Sequence, residues 1–266
     1  MKLRHRLSVF TASARLGFKQ VLDERLGLLG GFLMYATLVI AYAGVFRWIP
    51  ADNLAEYRLS FSQLVWYLGT TEFVLFCGSF AYFRELQQEI QSDQIHLALL
   101  RPCPVWVVKL GEWSGQYTGR FIVLALPCYV LSYCTAGQTG PGFDSVAGIV
   151  ASLPMAGFIM VACTFMLGAS CLWLTQAEPA FWIWQKCLFL LGALLWPLAL
   201  YPGLMSRLVW LTPFPSMLAV LGAWIVSNDG ATHMAGFFHQ IFWVIVCVAL
   251  VAATNRAMLR RIQAGG

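Results

Sequence analysis

The stretch EIQSDQIHLALLRPCPVWVVKLGEW, Glu89 to Trp113, is rich in charge and amide, yet it lies between two of the most apolar blocks of the chain. It is broken at Arg101-Pro102-Cys103-Pro104, where each proline lacks a backbone donor. What surrounds it sets the class of protein. The sequence is 59% hydrophobic and 11% charged, with a mean hydropathy of +0.70. A soluble domain of 266 residues cannot bury so many apolar side chains, whereas a bilayer accepts helical runs of roughly 20 apolar residues. Runs of that length recur, and the short alternating segments of a membrane β-barrel do not. The expectation is an all-α polytopic membrane protein, a single domain over residues 1–266.

The apolar runs predict six spans, at 27–46, 63–83, 121–137, 145–174, 180–202 and 235–254. The first 26 residues are polar and basic, and the first apolar run is long enough to anchor rather than to be cleaved. Six spans place both ends on one side, and the basic residues agree. Lys2, Arg4, Arg6, Arg15, Lys19, Arg25, Arg84, Arg101, Lys109, Arg120, Lys186, Arg256, Arg260 and Arg261 fall on that side, against Arg47, Arg58 and Arg207 on the other. Positive charge marks the cytoplasmic face, so both termini and the 84–120 loop are expected inside. The net charge of +5 is mostly this asymmetry, and nucleic acid is not required to explain it.

Within residues 1–26, Leu3, Leu7, Phe10, Ala14, Phe18 and Val21 recur at helical spacing between basic residues. This predicts an amphipathic helix along the inner membrane face, in contact with lipid. Between spans five and six, Pro197, Pro202, Pro213 and Pro215 interrupt a segment that is nonetheless apolar from Leu208 to Val226. A re-entrant hairpin over 197–230 accommodates both facts, and keeps the basic tail inside.

Motifs for chemistry are missing. There is no GxxxxGK[ST], HExxH or GxSxG, and His5, His96, His233 and His239 have no ligand spacing. The eight cysteines are scattered and read as small packing residues, so neither metal nor disulfide is expected. Glu72 lies mid-span, where a carboxylate is expensive; it is either a pathway group or a packing residue. Glu178 precedes Pro179 at a helix start, where an acid suits the helix dipole. Gly111, Gly115 and Gly119 recur every four residues and offer a smooth face for close helix contact.

The insert itself reads as a short helix with Leu86, Ile90, Leu97 and Leu100 on one side and Glu85, Glu89 and Asp93 on the other, stopped by Pro102. Its acidic face argues against simple adhesion to anionic lipid and for a cytoplasmic protein partner. IQSDQIHLALLRPCP, Ile90 to Pro104, resembles the six-span branch of the ABC-2 type exporter permeases, with its Leu-Leu-Arg-Pro ending. AFWIWQKCLFLLGALLWPLALYPGLMSRLVWLTPFPSM, Ala180 to Met217, is similar to that branch in its Phe-Trp opening, its mid-span proline and its late Pro-Phe. Asp93 stands where the branch usually has glycine, and His96 where it has aspartate.

The resemblance implies a transmembrane subunit of an exporter of the bacterial inner membrane. It would pair with a second permease, identical or paralogous, and with two copies of a separate ATPase that binds ATP and Mg. The chain itself would not be an enzyme. Glu89, Asp93, His96 and Arg101 would contact the ATPase; Glu72, Glu178, Pro197, Pro202, Pro213 and Pro215 would shape the pathway and its gate. The alternative is an ion-coupled carrier or channel working through Glu72, which would want more intramembrane acids or a repeat of broken helices. A lipid-modifying enzyme would want clustered His, Asp or Ser at one face.

Overall fold

The computed structural model describes residues 3–57, 59–78, 81–92, 94–95, 103–137, 140–174 and 177–265. Among them there are helices and no strand: α1 (Leu3–Asp23), α2 (Arg25–Phe46), α3 (Ala51–Glu56), α4 (Phe61–Cys77), α5 (Ala81–Gln91), α6 (Val105–Ala136), α7 (Phe143–Ala169), α8 (Glu178–Leu191), α9 (Gly203–Val209), α10 (Phe214–Met217), α11 (Ala219–Val226) and α12 (Gly230–Gly265). Among the described residues, five helical stretches are long and apolar enough to cross a membrane: Arg25–Phe46, Phe61–Gln91, Val105–Ala136, Phe143–Leu172 and Gly230–Gln263. The chain is a multi-pass membrane protein.

Burial separates the spans by position. Three quarters of the most apolar window of Phe61–Gln91 is buried, against 17% for Arg25–Phe46 and 22% for Gly230–Gln263. α4 is therefore the central post. It starts on a capping box, with the Ser60 side chain accepting from the Gln63 N–H and the Gln63 side chain accepting from the Ser60 N–H. α2 offers it one stripe, Tyr35, Val39, Ala43 and Phe46, and leaves Leu29, Leu33 and Ile40 facing outward. That single buried stripe on an otherwise apolar helix is what lipid contact on the remaining faces demands.

The first correction concerns α6. The sequence predicted a loop to residue 120 and a span from 121, but the helix begins at Val105 and runs unbroken for 32 residues. No proline lies between Pro104 and the predicted start at 121, and the helix carries on through Pro127; at 1.5 Å per residue it reaches about 48 Å, well beyond a hydrocarbon core of about 30 Å. It ends at Gly137, whose φ of 67° only glycine adopts without strain. The glycine repeat has the expected use. A Cβ on Gly111 would meet the Phe10 carbonyl, on Gly115 the Ala14 carbonyl, and on Gly119 the Val21 side chain, so α1 lies against α6 at backbone distance. Phe10, Ala14, Phe18 and Val21 do form one face, and it is α6 that covers it, while Leu7 points away.

The second correction concerns the fifth span. α8 stops at Leu191 after 14 residues instead of continuing to 202. The break precedes Pro197, at Gly192 and Ala193, and Ala193 has a φ of 54°. From there to α12 the chain is a series of short helices, three of them started by a proline. Pro197 precedes a 3-10 turn over Leu198–Leu200, Pro202 is the N-cap of α9, and Pro213 that of α10, with Pro215 in its first turn. A fixed φ and a missing N–H suit helix starts, where that donor is unused anyway. α11 folds back against α4: a Cβ on Gly222 would strike the Tyr67 ring.

Candidate functional site

The break at residues 192–194 is the feature the fold is built around. The Gly192 N–H still reaches the Leu188 carbonyl at 2.9 Å and the Leu194 N–H the Phe189 carbonyl at 3.1 Å, but the Ala193 and Leu194 carbonyls have no helix beyond them. α4 supplies their partners. The Tyr67 hydroxyl donates to the Ala193 carbonyl, and the Thr71 hydroxyl donates to the Leu194 carbonyl at 2.7 Å. Tyr67 and Thr71 are four residues apart and so share a helix face. Both carbonyl-bearing residues are buried, and a buried carbonyl left without a partner costs about 1–3 kcal/mol. Two hydroxyls on one face of the central post thus hold the non-helical turn.

Beside the break lies a cavity of about 610 Å³, lined among others by Gln63, Tyr67, Pro197, Trp210, Asp229 and Thr232. Its walls mix aromatic rings, two amides, the Ser227 and Thr232 hydroxyls and one acid over an apolar floor from Ala219 to Val226. Asp229 caps α12: its carboxylate accepts from the Ala231 and Thr232 N–H groups at 3.1 Å and from the Thr232 hydroxyl at 2.7 Å. Those donors, the Thr232 hydroxyl foremost, hold its carboxyl below the usual aspartate value. The short helices are pinned to α12 from the other side. His239 Nδ1 meets the Ser216 hydroxyl at 2.7 Å, His239 Nε2 lies 2.9 Å from the Trp210 carbonyl, and the Gln240 amide donates to the Ser216 carbonyl at 2.9 Å.

Of the residues the sequence proposed for a pathway, Pro197 lines this cavity, whereas Pro202, Pro213, Pro215 and Glu178 do not. Glu72 follows Thr71 on α4 and so faces another side. It is 2% exposed, it is not among the residues lining the cavity, and its Oε2 has no hydrogen-bond partner among the described residues.

The opposite end of α4 leads to α5, and there the polar residues pair in two groups. Lys109 of α6, 8% exposed, places its Nζ 2.6 Å from both Glu85 Oε1 and Glu89 Oε1 of α5. The Trp113 indole donates to Glu85 Oε2 at 3.3 Å, and its ring stacks on Tyr82 at 5.1 Å. Arg120 donates to the Tyr82 hydroxyl at 3.2 Å and pairs with Glu24 at 3.0 Å. Gln20 of α1 donates to Glu112 at 2.8 Å and accepts from Gln116 at 2.7 Å. Three helices are thereby tied by charge and amide where α6 outruns a hydrocarbon core.

Glu89, proposed from the sequence as a partner contact, has its carboxylate on Lys109 within the chain. Asp93, His96 and Arg101 lie outside the described residues. Of the proposed apolar stripe, Leu86 and Ile90 are buried; a Cβ on Gly168 of α7 would strike Leu86, so the protein covers that part itself. Leu97 and Leu100 lie outside the described residues. Glu178, the first residue of α8, edges a cleft of about 570 Å³ with Arg84, Glu85, Gln88, Trp182 and Gln185.

Sequence reasoning missed Tyr67 and Thr71, although two hydroxyls one turn apart in an apolar span were a visible signal. It also missed the Lys109 bridge, signalled by Glu85 and Glu89 at i and i+4. No group of three or more His, Cys, Asp or Glu side chains among the described residues is placed to hold a metal ion. No protein-family model matches the chain, and no curated protein does.

Proposed function

We propose that the chain is the transmembrane half of an ATP-driven exporter of the six-span ABC-2 permease type, working with a separate ATPase and a second permease in a bacterial inner membrane. The observation that carries this reading is the braced end. The connector between α5 and α6 springs from two helices joined through Lys109, so a load on it moves both as one body. α5 follows closely on α4, and α4 holds the broken turn through Tyr67 and Thr71. Displacement at the connector is thereby transmitted to the turn beside the 610 Å³ cavity.

In this reading α8 and the short helices after it make the sixth crossing, as one half-helix and a re-entrant hairpin. The basic end, with α1, the α5–α6 connector and the tail of α12, faces the cytoplasm. ATP and Mg bind on the partner chain, and the connector must dock differently in its two nucleotide states, since equal docking biases nothing. The test is to purify the tagged chain from its own membranes and assay the associated proteins. A stoichiometric ATPase is expected, with hydrolysis reduced by Arg101→Ala. Substrate movement by the purified chain alone, driven by an ion gradient, overturns the proposal.

A second reading, an ion-coupled carrier, draws on Glu72, whose buried carboxyl has an unmet oxygen one residue from the turn-holding Thr71. Under it, Glu72→Gln abolishes gradient-driven flux. Under the export reading, Glu72→Gln leaves ATP-driven transport within about twofold of the native rate, as expected for a near-isosteric packing replacement.

A further inference from the structure

A separate groove lies between α4, α6 and α7, on the far side of α4 from the break. Its volume is about 140 Å³, and its walls are largely apolar, with Phe73, Phe121, Ala125, Ile149 and Val150 along its length. At its head stand Trp66 and Tyr129, their rings 5.0 Å apart. Gly140 presses on both: a Cβ there would come within 2.5 Å of the Tyr129 hydroxyl and 3.1 Å of the Trp66 ring. Trp66 is 5% exposed, and its indole N–H is buried with no acceptor among the described residues. Buried Trp N–H groups find a partner as a rule, because leaving one unmet in an apolar setting costs free energy.

Depth indicates the chemistry available to accept it. Trp66 lies five residues into α4 and Tyr129 seven residues before the end of α6, about 8 and 10 Å from those helix ends. With about 5–7 Å of polar interface on each side of the hydrocarbon core, the head of the groove sits where lipid ester groups give way to acyl chains. The groove continues towards the Phe73–Phe121 ring pair, whose centroids are 4.9 Å apart. It therefore combines a lining tryptophan whose N–H is unmet among the described residues with an apolar slot beneath it.

We propose that this groove binds one glycerophospholipid, with an ester carbonyl accepting the Trp66 N–H and an acyl chain along Phe121, Ala125 and Ile149. Tyr129, half exposed at the rim, is the side chain that yields to admit the ester. The site is independent of the export reading, since it touches neither the broken turn nor the braced end.

The experiment titrates delipidated, detergent-solubilised chain with dipalmitoyl phosphatidylcholine or its dihexadecyl ether analogue, counting bound lipid by native mass spectrometry. The diester should bind about fivefold more tightly than the diether, which lacks the carbonyl, in keeping with one neutral hydrogen bond. Trp66→Phe should remove that preference, and Ile149→Trp should abolish binding of both lipids. Equal binding of ester and ether by the native chain overturns the proposal, as does an ester preference that survives Trp66→Phe. If Trp66→Phe does not fold, the ester-to-ether ratio of the native chain decides alone.

Discussion

At one end of the central post, Lys109 is held between two carboxylates and joined to a row of ion pairs and amides; at the other, two carbonyls of a broken helix are met by two neutral hydroxyls. Both ends keep polar groups from being stranded, by different means. The charged end lies where α6 extends past any hydrocarbon thickness, and its glutamates keep 37% and 25% of their side-chain surface open, so water shares the cost of desolvating them. The broken turn lies among buried residues, where a charge would be far dearer than a hydroxyl. The first arrangement suits a rigid lever. The second suits a turn that can be re-formed, because a neutral hydrogen bond contributes only about 1 kcal/mol net.

That contrast can be broken most forcefully at Lys109. Lys109→Met leaves two carboxylates facing each other and should cost about 2–3 kcal/mol, less than a fully buried pair because the glutamates are partly open. Denaturation in detergent measures it, and adding Glu85→Gln and Glu89→Gln should restore most of the loss. A loss that persists in the triple variant would show that packing, not charge, holds this end.

Gly115→Val comes next, at about 2 kcal/mol, since its side chain collides with the Ala14 carbonyl and neither helix backbone can yield cheaply. Limited proteolysis should then release α1 while the rest of the chain stays intact. At the broken end the expected loss is smaller. Thr71→Val leaves the Leu194 carbonyl unmet for about 1 kcal/mol, and adding Tyr67→Phe should cost more than the two single changes summed if one turn depends on both. Strict additivity in that cycle removes the idea of a jointly held turn.

The smallest effect is the Asp229 cap. Its carboxyl is held below the ordinary value of 3.8, so its contribution is complete above that pH and is lost as pH falls through the folded value. Amide exchange at Ala231 and Thr232, compared between the native chain and Asp229→Asn, should differ at pH 6 and converge towards pH 3.

Much of this was legible from residue order. Hydrophobic run length named the class, and four of the six predicted spans match helices of the fold within the overhang at their ends. The glycine repeat at 111, 115 and 119 announced a close helix contact, and the apolar face of α1 was marked by Phe10, Ala14, Phe18 and Val21. The start of α6 was not legible, because a polar helix and a polar loop have similar composition when no breaker separates them. Nor was the break at Ala193, which no proline or polar cluster marks.

The sequence alone determined that the chain belongs in a membrane as helices, since hydrophobicity summed over about 20 residues is a local property that no packing reverses. Only the tertiary structure decided which polar groups matter. Glu85, Glu89 and Lys109 became one bridge, and Tyr67 and Thr71 became the clasp of a distant turn, because α4 and the turn after α8 meet across more than a hundred residues. A hydrogen bond depends on ångström distances between such helices, and those distances exist only once the helices have packed.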